Sequence, residues 1–349
     1  MPSSGYRLAL RRALFLGAGC ILFAYLLVQL GPGEILALLL RIGWSFAVIV
    51  TFYAGYNMVR AFALGTCIVG EDRISYWDLV KIRLAGEALQ FLTFTGQFLA
   101  EPAKALLLRN RGLPGTHAFA GAISEYLIYT FTSAAMTIVG PLYFLHNFEV
   151  PRSASVAAWI VIGVSGIFLS AAVVAIVGRI YLIGAIVKAV GRLPGVGKYL
   201  QVDGMALRGT EDLLFVVLRS RPWRFLWIVA VELAAQMLLI LELFVLLRFL
   251  EQPFPAIFPF LIEAATKFIS VGFFFIPGQV GAAEGVYALI FQSLGLAASV
   301  GFSLALARRV RSLAIAGVGL FFLVVWKSRA GDEMLEHTAD PTEGGEEQN

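Results

Sequence analysis

Apolar residues run along this chain in long blocks, and short polar clusters separate the blocks. Crossing a bilayer core takes about 20 apolar residues in a helix. Blocks of that kind predict spans over roughly residues 13–30, 44–69, 118–145, 156–177, 225–247 and 299–326. Gly31-Pro32-Gly33 ends the first. Two further blocks break in the middle. Residues 84–108 are interrupted at 93–96, and residues 260–296 are interrupted at Pro277-Gly278. Each piece of the first is too short to span alone. Lys81 and Arg83 precede that block and Arg109 and Arg111 follow it. Basic flanks mark the cytoplasmic side, so this block predicts a hairpin that enters from the cytoplasm and returns there. The second follows a loop, residues 251–259, with three prolines and no basic residue, and predicts a hairpin entering from outside. Together these place both termini in the cytoplasm and make the two hairpins an inverted repeat.

Composition narrows the class further. Of 349 residues, 59% are hydrophobic and 14% charged, with mean hydropathy +0.82; a soluble domain carries about 25% charged residues. The expected fold is an all-α polytopic integral membrane protein, with about six full transmembrane helices and two broken or re-entrant hairpins. The expected layout is a cytoplasmic N-terminus over 1–12, one membrane domain over 13–327, and an acidic, disordered cytoplasmic tail over 328–349. Arg7, Arg11 and Arg12 precede the first apolar run as in a signal peptide. No small-residue cleavage site follows, so the run is taken as the first membrane helix. The loop 179–224 holds eight basic side chains, Arg179 to Arg224, against Asp203, Glu211 and Asp212. It belongs in the cytoplasm, and residues 205–218 predict an amphipathic helix lying on an anionic lipid surface. Cys20 and Cys67 lie in apolar segments, so no disulfide is implied. No metal-ligand spacing, phosphate loop or Ser-His-Asp arrangement occurs. No catalytic residue, metal, cofactor or nucleic-acid partner is therefore assigned.

The candidate chemistry lies at the breaks. Irregular backbone at membrane depth is tolerated where it is buried in protein or lines a wet cavity, and an intramembrane charge marks function by default. Phe275-Ile276-Pro277-Gly278-Gln279-Val280-Gly281-Ala282-Ala283-Glu284 has an echo in Gly96-Gln97-Phe98-Leu99-Ala100-Glu101. Gly96-Gln97 aligns with Gly278-Gln279, and Glu101 with Glu284 after a one-residue gap. Glu284 falls in the first turn after the break, where the helix dipole stabilises a carboxylate and free N–H groups can hold an anion. Glu101–Lys104 and Glu263–Lys267 are spaced as intrahelical ion pairs beside the two breaks. Arg308, Arg309 and Arg311 fall inside the last apolar block. If a helix ended at Ala307 and the arginines formed a cytoplasmic patch, only the 15 residues from Ser312 to Trp326 would remain, too few to span. At least Arg308 or Arg309 is therefore expected in a polar interior, facing an anion or a carboxylate. Tyr53, Tyr56 and the phenylalanines are expected to pack.

The pattern Gly96-Gln97-x-x-x-Glu101-x-x-Lys104, with Glu125, Pro277-Gly278-x-x-Gly281-x-x-Glu284 and an arginine in the last helix, resembles the flippase-like membrane domain of the lysylphosphatidylglycerol synthases. The chain is similar to stand-alone members without the aminoacyltransferase domain. The resemblance aligns Lys104 with the family's usual arginine, and sets Tyr126 and Tyr129 in place of an Arg and an Asp. It implies a lipid translocase of the bacterial inner membrane, binding a phospholipid or a polyprenyl- or hopanoid-type headgroup. The expected binding residues are Gly96, Gln97, Glu101, Lys104, Glu125, Glu263, Lys267, Pro277, Gly278, Gln279, Gly281, Glu284, Arg308 and Arg309. The alternative is a membrane subunit or scaffold of a lipid-modifying enzyme that transfers an aminoacyl or glycosyl group. The chain itself is not expected to be an enzyme. A lipid-pathway enzyme and a second copy of the chain stand as further partners.

Overall fold

The computed structural model describes residues 33, 43–70, 74–92, 97–148, 152–182, 184–185, 204–220, 222–249, 254–272 and 282–339. Among them ten α-helices form and no strand does. They are α1 (Ser45–Cys67), α2 (Tyr76–Leu92), α3 (Gln97–Arg109), α4 (Gly115–Asn147), α5 (Arg152–Val177), α6 (Gly204–Phe215), α7 (Pro222–Phe249), α8 (Phe258–Gly272), α9 (Ala282–Ser293) and α10 (Ala298–Ala339). The boundaries follow local chemistry. Pro114 precedes α4 and lends its fixed φ to the start. Gly112, at φ +96°, makes the turn after α3 that no side chain would favour.

Four helices are long and apolar enough to cross a membrane: Phe46–Cys67, Gly115–Asn147, Ser155–Val177 and Pro222–Phe249. They coincide with four of the expected spans. The expected span over 13–30 lies outside the described residues. The span over 299–326 falls within α10, which continues to Ala339 where a disordered tail was expected from 328. The segment after Trp326 is rich in strong helix formers (Lys327, Ala330, Glu333, Met334, Leu335, Glu336), and its first proline is Pro341. On α5, Trp159, Ile160 and Val164 are exposed, and Ile167 is 73% exposed. That surface suits lipid.

Helix pairing repeats across the molecule. α2 packs on α3, and α8 on α9. The helix after each pair packs on the second member of its own pair and crosses the first member of the other: α4 lies on α3 and crosses α8, while α10 lies on α9 and crosses α2. α1 and α7 pack on each other. The register repeats too. Arg83 and Glu87 stand nine and five residues before the end of α2, and Glu263 and Lys267 stand nine and five before the end of α8. A glycine marks each crossing. A Cβ on Gly140 of α4 would lie 2.4 Å from the Ala264 Cβ, and one on Gly319 of α10 would lie 2.0 Å from the Leu84 carbonyl oxygen. Leu84 follows Arg83 as Ala264 follows Glu263.

Two elements differ from expectation. Lys81 and Arg83, read as basic flanks before the first broken block, lie within α2, and Arg83 is buried. The expected headgroup helix is α6, continued by a π-turn over Val216–Ser220. Its Leu214, Phe215, Val217 and Leu218 pack with Ala63, Cys67, Ile128 and Ile228. These apolar side chains of α6 and the π-turn are thus covered by the helix bundle, while Met205 at the start of α6 is exposed.

Candidate functional site

Apolar clusters bind α1–α4 on one side and α7–α10 on the other. Charged side chains gather where these groups meet. On the first side, the buried Glu125 of α4 collects three bases. The Arg60 guanidinium of α1 donates to it, Lys104 Nζ of α3 donates at 2.9 Å, and Arg83 Nη1 of α2 stands 3.8 Å away. Lys104 is 0% exposed and also lies 2.8 Å from Glu101. Its stem fits because Gly86 of α2 has no side chain; a Cβ there would sit 2.8 Å from Lys104 Cγ. Arg83 donates to Glu87 at 3.1 Å, and the Tyr53 hydroxyl donates to the same carboxylate.

The second side mirrors this with bases on the last helix. Arg308 Nη1 donates to Glu263 at 2.8 Å and to the Tyr287 hydroxyl at 3.0 Å, and its Nη2 donates to the Leu239 carbonyl at 3.2 Å. Lys267 lies 2.9 Å from Glu263. Arg309 Nη2 donates to Glu284 at 2.7 Å. Arg311 donates to Glu242 of α7. Two sets of corresponding positions carry opposite signs, although Glu101 and Glu284 share a sign. Arg83-x-x-x-Glu87 on α2 matches Glu263-x-x-x-Lys267 on α8. A cation on α1 (Arg60) meets a carboxylate on α4, while a carboxylate on α7 (Glu242) meets arginines on α10.

Contacts of charged side chains join the sides. Arg60 Nε lies 3.3 Å from Glu232 of α7. The Tyr129 ring lies 3.7 Å from the Arg60 guanidinium carbon and 5.5 Å from Lys267 Nζ. The Tyr53 ring lies 3.7 Å from that of Arg311. The result is a network of seven bases (Arg60, Arg83, Lys104, Lys267, Arg308, Arg309, Arg311) and seven carboxylates (Glu87, Glu101, Glu125, Glu232, Glu242, Glu263, Glu284), in which Arg309 and Glu284 pair with each other beside the twelve that are linked. Its formal charge is zero. Buried charges survive only when paired, and here each is placed against an opposite charge.

Eight of the expected binding residues fall in this network: Glu101, Lys104, Glu125, Glu263, Lys267, Glu284, Arg308 and Arg309. Glu284 occupies the first turn of α9, as expected, while Glu101 lies in the second turn of α3. Gly96, Pro277, Gly278, Gln279 and Gly281 lie outside the described residues, as does the Gln97 side chain. Sequence reasoning missed Arg60, Arg83, Glu87, Glu232, Glu242 and Arg311 as members. It also took Tyr53 as packing alone, although Tyr53 bridges Glu87 and Arg311. The signal for Arg60, Glu232 and Glu242 was their place inside apolar spans. Arg83 and Glu87 carried no such signal, because they follow a polar stretch.

Among the described residues no group of His, Cys, Asp and Glu is placed to hold a metal ion. What the network can do is exchange partners. An arginine fork binds phosphate with the geometry it uses for a carboxylate, so an incoming phosphate can replace a glutamate without leaving the arginine unpaired.

A family model described as the lysylphosphatidylglycerol synthase TM region matches residues 11–319. No curated protein and no solved structure matches the chain.

Proposed function

Because the chain belongs to the family of lysylphosphatidylglycerol synthase transmembrane regions, we propose that it is a lipid translocase of the bacterial inner membrane, working through the charge network. The observation that carries this reading is the network itself. Fourteen ionisable side chains are drawn from two similar groups of helices, inside a protein whose outer helices present apolar faces. Structure alone does not require so many. An apolar core of equal volume is often as stable as a buried ion pair or more so. In this reading the six spans and two hairpins form an inverted repeat with cytoplasmic termini, and the headgroup binds between the hairpins. Arg308 and Arg309 hold its phosphate, helped by the start of α9. Glu263 and Glu284 exchange with that phosphate, and Glu101 and Glu125 balance Lys104 or take a cationic part of the headgroup. The acyl chains stay in the bilayer. Movement follows when one side's pairs open and the other side's close.

The test is transfer of fluorescent phospholipids between leaflets in proteoliposomes. A single neutralisation would leave a buried charge alone, at a cost of about 3–5 kcal/mol. The informative variant is therefore Glu284→Gln with Arg309→Gln. We expect the wild type to transfer phospholipid and the double variant, still folded by thermal denaturation in detergent, to fall to the protein-free rate. Wild-type transfer by a folded double variant would remove these residues from the site. No transfer of any lipid by the wild type, together with co-purification of an aminoacyl- or glycosyl-transferring enzyme, would favour a membrane subunit over a translocase.

A further inference from the structure

Glu232 stands apart from the other six carboxylates of the network. It is fully buried on α7, and neither of its oxygens accepts a hydrogen bond. Its contact is Arg60 Nε at 3.3 Å, an ion pair without hydrogen-bond geometry, since Arg60 Nε has no hydrogen-bond partner. The Arg60 fork is committed elsewhere: Nη2 donates to Glu125 and Nη1 donates to the Tyr56 hydroxyl at 3.0 Å. One turn along α7, Gln236 donates its amide to Ser133 Oγ at 3.0 Å, while its own carbonyl oxygen, also buried, has no donor. Residues spaced i and i+4 are neighbours on a helix face. An ionised Glu232 thus sits beside an acceptor that lacks a donor, and both are buried. A protonated carboxyl carries the missing donor.

We propose that Glu232 is a proton-binding site, and that one proton taken up there accompanies each singly anionic lipid headgroup into the network. The proposal rests on the translocase reading. The network is neutral when all fourteen groups are ionised, so a zwitterionic headgroup adds no net charge, whereas an anionic phosphodiester adds one. Among the fully buried carboxylates of the network, Glu232 is the one whose loss of charge breaks no hydrogen bond. The proton comes from solution, an O–H bond forms on the Glu232 carboxylate, no bond in the lipid changes, and the gain of one positive charge offsets the phosphodiester. The charged and titratable groups around Glu232 are Arg60 and the buried Cys67 on α1, Glu125 on α4, Arg83 on α2 and Lys104 on α3. On α8, Glu263 and Lys267 are paired with each other. Arg60, Arg83 and Lys104 each have another carboxylate, Glu125, Glu87 or Glu101, so none is stranded when Glu232 is protonated.

Purified protein in detergent and a weakly buffered solution with an indicator dye provides the test. Phosphatidylglycerol is the anionic probe and phosphatidylcholine the zwitterionic one. We expect close to one proton taken up per bound phosphatidylglycerol, none per phosphatidylcholine, and phosphatidylglycerol affinity that falls about tenfold per pH unit above the site's titration. Glu232→Gln should bind phosphatidylglycerol without proton uptake and without that pH dependence. The infrared carbonyl band of a protonated carboxyl should form on adding phosphatidylglycerol to the wild type and be absent from the variant. Saturable wild-type binding without proton uptake would overturn the proton site and leave the translocase reading standing. One proton per lipid in a folded Glu232→Gln would overturn it equally. If that variant does not fold, the wild-type stoichiometry and pH slope decide alone. Absence of any saturable lipid binding would overturn both readings.

Discussion

Arg311 lies on α10 with the Tyr53 ring 3.7 Å beneath its guanidinium carbon and Glu242 in front of it. A guanidinium at bilayer depth costs about 2.5–3.5 kcal/mol on insertion scales, so its partners decide whether it stays. The expected outcome of Glu242→Gln alone is a loss of about 3–5 kcal/mol, because Arg311 is left without a carboxylate, and that of Arg311→Gln is a smaller loss, because Arg308 Nε stays 3.5 Å from Glu242. The double variant should recover most of the Glu242→Gln loss, since neither charge remains. Denaturant unfolding of all four proteins in detergent gives the coupling directly. Single residues differed in how far the sequence exposed them. Arg308 and Arg309 were legible because a basic side chain in an apolar block has few harmless explanations. Arg83 was not, because it follows the polar stretch Glu71-Asp72-Arg73, and only the packing of α10 on α2 makes its position interior. Tyr53 was not either, because tyrosine in a membrane span is ordinarily an interfacial or packing residue.

At the level of elements, the crossings of α4 on α8 and α10 on α2 depend on glycine. Gly319→Ala would drive a methyl into the Leu84 peptide, and Gly140→Ala would drive one into Ala264. Alanine is about 1 kcal/mol better than glycine within a helix. Overpacking costs about 1–3 kcal/mol, and more where the obstacle is backbone. Both variants should lower the melting temperature, Gly319→Ala the more, because a peptide cannot turn aside as a side chain can. A differential scanning measurement in detergent checks the order. Element positions were largely legible, since apolar length sets the ends of α1, α4, α5 and α7 to within a few residues. The two breaks read from the sequence, Thr93 to Gly96 and Pro277-Gly278, lie outside the described residues. The pairing of helices was not legible. Nothing in one block says which other block its glycine will meet. The packing of α6 on the bundle was not legible for the same reason: a hydrophobic stripe fits a bilayer surface and a neighbouring bundle equally well.

For the whole molecule, the sign of charge inverts at two sets of corresponding positions in the two groups of helices, and carboxylates of the second group are held by arginines on α10. Synthesis runs from the N-terminus, so Glu242, Glu263 and Glu284 reach the membrane before Arg308, Arg309 and Arg311 do. Until then the carboxylates of α8 and α9 lack those partners, and the half-made protein carries exposed acidic charge in its interior. A chain ended after residue 297 should therefore be inserted but short-lived, with a pulse-chase half-life well below that of the full chain. Residues 298–349 supplied as a separate polypeptide should restore it. A lifetime equal to the full chain's would mean that these carboxylates find other partners or protonate. In the intact protein, α10 arrives last into a site already lined with its counter-charges. Its three arginines, a liability for any helix that must enter lipid unaided, then serve as the closing step of assembly.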